Sequence, residues 1–570
     1  MALQRYFHIF SSWRSSANPS RQQRVFSTTT NSERSDSVPT NNGSEPAPTK
    51  NGDGDEMLLT ENGSEPSSTL KKTRMRPLTF MLVWLLTILF LGVIGINMGP
   101  HWDPKPINQR VISQTKNTKI GSCLGSGCTP TQTYETEREM REVRLRDGVT
   151  VPVEVTKPLS GEGKRPGMLF IHGTGTDKPS AFRREANLIA STGIITYVPQ
   201  KRIDNYSTLH RDYLALARDV NDVFNQMIVA SDIDADKSGI YSVSEGCFVS
   251  PIVAATNPAI KYVAFISAPV LPIRSQGSYA AQTYMQSIHA PERFSNNLKK
   301  ILGQNFGAGN LEYFDFNPSP YQQEIHVPVM MLYGTGDKSM PVEQGPVAMR
   351  EDLRKAGNEN LTIRYYEGRD HGLQDKKKKI SGQAMQDVSD WVNTLPESSH
   401  AEPRIAGDQP DQGFAVPPIV AESLMPIPYL LMLYATVPVL LVLALVMSIV
   451  ACLRRKGRTV SDILRMLSPS MASGAVLLAT LLAYVWYIKQ VAYTALNYLQ
   501  NDLIIRGGFI AVTLLACCAV GAGIRALWKS REMWADISLP VKMAMILNFA
   551  WQIGALAILT YLNVFPTLMR

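Results

Sequence analysis

Short apolar runs and longer amphipathic stretches alternate through the middle of the chain, from about residue 135 to residue 396. A hairpin around Asp147-Gly148 opens the series, and apolar runs follow near 166–171, 193–199, 238–243, 261–267, 327–333 and 361–367. These read as strands, and helical periodicity intervenes over Ser207–Val229 and Pro341–Ala356. The alternation predicts an α/β fold, a mostly parallel mixed sheet of about eight strands with helices on both faces. The segment from Pro269 to Pro320 breaks it. Its amphipathic stretch Arg293–Leu302 predicts a helical cap over the functional site, which is where specificity should reside.

The flanks follow another pattern. Residues 77–98 are uncharged and long enough to cross a bilayer, and Lys71, Lys72, Arg74 and Arg76 precede them. The run is long and far from Met1, so it reads as an anchor, not a cleaved signal peptide. Four further spans are predicted at Met425–Cys452, Met471–Ile488, Leu503–Ile524 and Val541–Val564. Arg454, Arg455, Lys456, Arg458 and Arg465 mark one connecting loop as cytoplasmic, and Arg525, Lys529, Arg531 and Lys542 mark another. The loop between them offers only Lys489 and Arg506. Basic loops stay in the cytoplasm, so the middle domain is expected on the extracytoplasmic side. The expected order is a disordered cytoplasmic tail at 1–70, a transmembrane helix at 77–98 and a linker at 99–134. The α/β domain follows at 135–396 with its cap at about 269–320, then a linker at 397–424 and four transmembrane helices at 425–564.

Three residues in the middle domain carry the chemistry. Ser244 lies in Tyr241-Ser242-Val243-Ser244-Glu245-Gly246, Asp337 in Gly334-Thr335-Gly336-Asp337-Lys338-Ser339-Met340-Pro341, and His371 in Gly368-Arg369-Asp370-His371-Gly372. Each follows an apolar run. A serine hydroxyl is a poor nucleophile at neutral pH, so it needs an imidazole to take its proton and a carboxylate to fix that imidazole's tautomer. Ser244, His371 and Asp337 are the catalytic candidates for those roles. After the strand Met168–Ile171, the sequence His172-Gly173-Thr174-Gly175 reads as an oxyanion loop, and the amides of Thr174 and Glu245 are its expected donors. His172 is expected to hold the loop in place. Asp370, adjacent to the histidine, reads as a decoy acid, because neighbouring residues in a loop point apart.

These motifs give residues 135–396 a resemblance to the dienelactone hydrolase and prolyl-oligopeptidase-like branch of the α/β-hydrolase superfamily. The resemblance implies an α/β-hydrolase fold, a doubly wound sheet with a helical cap, and a serine enzyme whose substrate the fold cannot name. Two departures stand out. The elbow is usually Gly-x-Ser-x-Gly, and Ser242 replaces the first glycine here. Dienelactone hydrolases proper use cysteine, and Cys247 comes three residues too late to serve.

Other patterns fall short of a site. Asp232, Asp234 and Asp236 have calcium-loop spacing, but Lys237 stands where the loop needs glycine and Val243 where it needs glutamate, so the stretch reads as a polar turn entering the elbow strand. The lysines 376–379 read as a solvated face. The membrane spans hold neutral polar residues such as Asn548 and Gln552 and almost no charge, which favours an anchor or partner-docking bundle over an ion pathway. Cys123 and Cys128 flank a short extracytoplasmic loop where a disulfide is plausible.

The expectation is an extracytoplasmic serine esterase or acyl-transfer enzyme acting on envelope lipids or other acyl substrates, with no cofactor, metal or nucleic acid. Its expected partners are a small-molecule or lipid ester, membrane lipids and a membrane protein docked on the bundle. A prolyl-oligopeptidase-type peptidase and a silent sensor are the alternatives. A bacterial plasma or inner membrane is the expected location. The mitochondrial inner membrane is second, since Met1–Ser32 is rich in Arg and Ser without acidic residues.

Overall fold

Strand runs separated by helices fold as their pattern requires, into one nine-stranded sheet. The computed structural model describes residues 76–567 apart from 101, 121–132, 162, 205, 307–310, 423–424, 455–456 and 498. The described residues belong to one compact unit. The N-terminal tail, the targeting-like stretch, Cys123, Cys128, Arg455 and Lys456 lie outside them.

The strands are β1 (Thr136–Arg144), β2 (Thr150–Pro158), β3 (Arg165–Ile171), β4 (Ile195–Pro199), β5 (Ile233–Val243), β6 (Val263–Ile266), β7 (Val329–Gly334), β8 (Leu361–Tyr366) and β9 (Ile405–Gly407). Their order is β1-β2-β4-β3-β5-β6-β7-β8-β9. β1 and β2 form the hairpin turned by Gly148 at φ 87°, and β2 runs antiparallel to β4. From β4 onward every pairing is parallel, so one edge of the sheet collects the C-terminal ends of β3, β5, β7 and β8. β6 and β7 are buried throughout, and β3 is buried from Met168 through Ile171, as a sheet covered on both faces demands.

The helices are α1 (Pro77–Asn97), α2 (Arg183–Ala190), α3 (Tyr213–Met227), α4 (Gly246–Thr256), α5 (Ile273–Ser287), α6 (Glu292–Leu302), α7 (Gln344–Lys355), α8 (Gly382–Asn393), α9 (Ile427–Leu453), α10 (Val460–Leu496), α11 (Gly508–Met533) and α12 (Leu539–Tyr561). Among the described residues, five stretches are long and apolar enough to cross a membrane: α1, α9, α10, Leu503–Met533 and α12.

Four findings correct the sequence reading. The ninth strand, β9, lies in the segment read as a linker, and it pairs Ile405, Ala406 and Gly407 with Ile363, Arg364 and Tyr365. The segment before the domain is also built in: Val111 is buried in its core and its amide donates to Glu343 Oε2 at 3.1 Å. Helix α10 runs 37 residues, well beyond the apolar window, because Thr459 and Asp462 form a reciprocal capping box that starts it in polar sequence. The Asp232–Asp236 stretch is not wholly a turn, since Asp234 and Asp236 lie within β5.

Candidate active site

β5 ends at Val243 and α4 begins at Gly246, so the chain reverses over two residues. Ser244 takes φ 53°, a left-handed conformation that costs about 1–3 kcal/mol for a residue with a Cβ and that lifts the hydroxyl off the sheet edge. The tight turn needs two glycines. A Cβ on Gly246 would sit 2.6 Å from Ile171 O, and one on Gly173 would sit 2.9 Å from Val243 O and 3.1 Å from Ser244 Cβ. The loop after β3 is thereby pressed against the nucleophile candidate. Ser242, in the place of the usual glycine, is accommodated by bonding: its Oγ accepts from Ser250 Oγ of α4 at 2.9 Å and donates to Ala264 O at 3.3 Å.

The acid and histidine loops pack backbone to backbone. Gly336 N donates to Arg369 O at 2.9 Å, and a Cβ on Gly334 would come within 2.1 Å of that same oxygen. This brings the three candidates together. His371 Nε2 lies 2.8 Å from Ser244 Oγ, and His371 Nδ1 lies 2.8 Å from Asp337 Oδ2. The other carboxylate oxygen of Asp337 accepts from Ser339 N at 2.7 Å and Met340 N at 3.3 Å, and the Asp337 side chain is fully buried. Burial pulls the His371 pKa down, but the charge and hydrogen bond of Asp337, helped by Asp370, leave it above the ordinary value of 6.5.

The decoys are occupied elsewhere. Asp370 Oδ1 accepts from the amides of Gly372 at 3.0 Å and Gln374 at 2.9 Å, and Oδ2 accepts from Lys378 Nζ at 2.8 Å. His172 is buried, with Nε2 2.7 Å from Pro199 O, and burial pushes its pKa down to about 3, so it stays neutral and ties β3 to β4. Cys247 Sγ lies back against Ser242 O at 3.4 Å, and burial pushes its thiol up to about 12, which leaves it no thiolate to attack with.

Sequence reasoning missed what surrounds the Glu245 side chain. That carboxylate is buried and receives Lys201 Nζ at 3.1 Å, Tyr213 OH at 3.1 Å, and contacts from Arg211 and Tyr206. Burial opposes its charge, yet Lys201 and Arg211 hold it ionised, well below the usual carboxylate range. Lys201 Nζ also donates to Gly173 O at 3.2 Å, and Arg211 Nη1 lies 3.5 Å from Thr174 Oγ1. The network therefore ties the loop carrying Thr174 to the elbow carrying Glu245. An ionisable residue inside an otherwise uncharged elbow was the available signal, because a buried carboxylate needs a cation. Its partners lie more than thirty positions away and carry no local mark.

Comparison with known proteins matches residues 180–397, under half of the chain, to the prolyl oligopeptidase family. No curated protein matches. Among solved structures, a dienelactone hydrolase from Anabaena variabilis is similar at 14% identity and a TM-score of 0.31, over 46% of this chain and 98% of its own. An esterase from Pyrococcus furiosus is similar at 13% identity and a TM-score of 0.34, over 52% of this chain and 98% of its own. Dipeptidyl peptidase 4 from Porphyromonas gingivalis is similar at 11% identity and a TM-score of 0.34, over 45% of this chain and 35% of its own. With its mostly parallel sheet, strained elbow serine and hydrogen-bonded Ser–His–Asp set, the chain is a serine-type hydrolase with an α/β-hydrolase fold, and its residues 180–397 are similar to the prolyl oligopeptidase family.

Proposed function

We propose that this protein is a membrane-anchored serine esterase that cleaves acyl esters, lipid esters included, with Ser244 as nucleophile, His371 as base and then acid, and Asp337 as the orienting carboxylate. The observation that carries this is the unbroken hydrogen-bond line from Asp337 Oδ2 through both ring nitrogens of His371 to Ser244 Oγ, each step 2.8 Å. Nδ1–H donates to Asp337, so Nε2 presents its lone pair to the serine proton. Attack on the ester carbonyl would develop an oxyanion, for which the amides of Thr174 and Glu245 are the assigned donors. Collapse expels the alcohol with a proton from His371, and water then releases the acid by the reverse route.

The test uses the full-length protein in detergent. It is expected to take up a fluorophosphonate probe and to hydrolyse acyl esters; absence of both in folded protein would overturn the reading. The match to the prolyl oligopeptidase family favours a second reading, a serine peptidase. Turnover of peptide amides at rates above those of esters would select it.

In this reading the hydrolase domain lies outside the cytoplasm. Supporting this, contacts between it and the bundle cluster at the C-terminal ends of α1 and α12 and near Asp502, while Arg454, Arg458 and Arg531 lie at the opposite helix ends. A reporter active only outside the cytoplasm is expected to work when fused after Leu395 and to be silent after Arg458. The reverse pattern inverts the topology.

A further inference from the structure

The segment expected as a cap makes specific contacts with the loop that carries the catalytic acid. It leaves the C-terminal end of β6, beside the strands that carry Ser244 and Asp337, and forms α5 and α6. Two side chains of α5 grip the turn after Asp337. Gln276 Nε2 donates to Ser339 O at 2.9 Å, and Tyr284 OH shares a hydrogen bond with Ser339 Oγ at 2.9 Å. Residues 276 and 284 are a little over two helical turns apart and so lie close to one face of α5. Ser339 N is in turn the closer of the two amides holding Asp337 Oδ1.

Tyr284 belongs to two worlds. Its ring packs on the apolar cluster that includes Phe294 of α6, Tyr484 and Tyr487 of α10 and Phe509 of α11. Helix α6 is fixed to the same helices by polar contacts on one face. Arg293 Nη1 donates to Val564 O at 3.2 Å, and Asn297 Nδ2 donates to Leu562 O at 2.9 Å and to Tyr484 OH at 3.1 Å. Lys300 is buried, and its Nζ donates to Gly95 O at 2.6 Å, Tyr561 O at 2.5 Å and Asn563 Oδ1 at 2.9 Å. Carbonyls at the C-terminal ends of α1 and α12 thus share one ammonium group, where helix dipoles favour a cation. Burial pushes the Lys300 pKa down to about 7, and a cation that is costly to bury is retained only at well-made contacts.

We propose that Tyr284 is a positioning residue for the catalytic acid, and that through it the docking of α6 on the membrane-helix ends sets the geometry of Asp337 and His371. The inference rests on the esterase reading. It implies that the hydrolase reaches full turnover only when its bundle is assembled, a contiguous packed path whose equilibrium the membrane helices bias.

The experiment compares wild type, Tyr284→Phe, Ser339→Ala, their double variant and Lys300→Met, all full length in lipid nanodiscs. Tyr284→Phe keeps the ring packing and removes only the hydroxyl. It is expected to lower kcat by between roughly 3- and 100-fold, with KM unchanged, because a small misplacement of catalytic groups is costly. The acid limb of its pH–rate profile should move to lower pH, since a less well-placed Asp337 raises the His371 pKa less. The double variant should be no worse than either single change, as expected for two ends of one contact. Lys300→Met touches neither loop and should show the same pattern, with Asn297→Leu in its place if it does not fold. A wild-type kcat and pH profile in Tyr284→Phe, or in the folded α6 variant, overturns the proposal. Failure of wild type itself to label at Ser244 overturns the esterase reading instead.

Discussion

Replacing Ser244 by alanine is expected to abolish fluorophosphonate labelling and to lower ester turnover by on the order of 10⁴–10⁶-fold, the loss seen when a triad nucleophile is removed. The fold should survive. Alanine keeps the Cβ and therefore the same φ 53° strain, and the hydroxyl lost makes one net hydrogen bond to His371, worth about 1 kcal/mol. Ser244→Gly should be equally inactive but more stable than Ser244→Ala by about 1 kcal/mol, because glycine occupies that conformation without strain. Thermal melts of the two variants check this. No neighbour can substitute for the nucleophile: Ser242 is buried and engaged with Ser250, and the Cys247 thiol is held protonated. Labelling that persists in Ser244→Ala, or moves to Ser242, sinks the assignment.

What could be read in advance was whatever local sequence encodes. Apolar runs at 327–333 and 361–367 became β7 and β8 within two residues at each end, because a buried parallel strand has no polar face to confuse its boundaries. The glycines around Asp337 and Ser244 marked close backbone approaches that the structure contains. Loop geometry is the ground for preferring Asp337 over Asp370; Asp337 bonds to His371 Nδ1, whereas Asp370 is engaged with the Gly372 and Gln374 amides.

What stayed hidden depends on pairs far apart in the chain. β9 has three residues, too few for any periodicity, and exists because β8 offers it an edge. The partners of Glu245 arrive from the loop after β4 and the start of α3. Lys300 looked like one more lysine on an amphipathic helix, and its burial at 2% exposure follows only from where the ends of α1 and α12 meet. The amphipathic face of α6 was legible as a face that needed a partner. That the partner is the membrane bundle required the assembled chain.

Asp337→Asn is expected to cost about 10⁴-fold in kcat, roughly 5 kcal/mol of transition-state stabilisation, while Asp370→Asn costs less than about ten-fold. The asymmetry follows from hydrogen-bond direction. The amides of Ser339 and Met340 need an acceptor, so they hold the remaining side-chain oxygen of an asparagine at 337 and turn its NH2 toward His371 Nδ1. Nδ1 must then accept, which places the ring proton on Nε2, facing Ser244. In that tautomer the imidazole cannot take the serine proton. The lost carboxylate charge should also lower the His371 pKa, which Asp337 raises in the wild type, so the remaining activity should keep its acid limb at lower pH than wild type. An asparagine at 370 keeps an oxygen for the Gly372 and Gln374 amides and gives up the exposed pairing with Lys378 and the smallest of the contributions that raise the His371 pKa. Equal losses at the two positions in pH–rate profiles would mean that Asp337 is not the orienting acid.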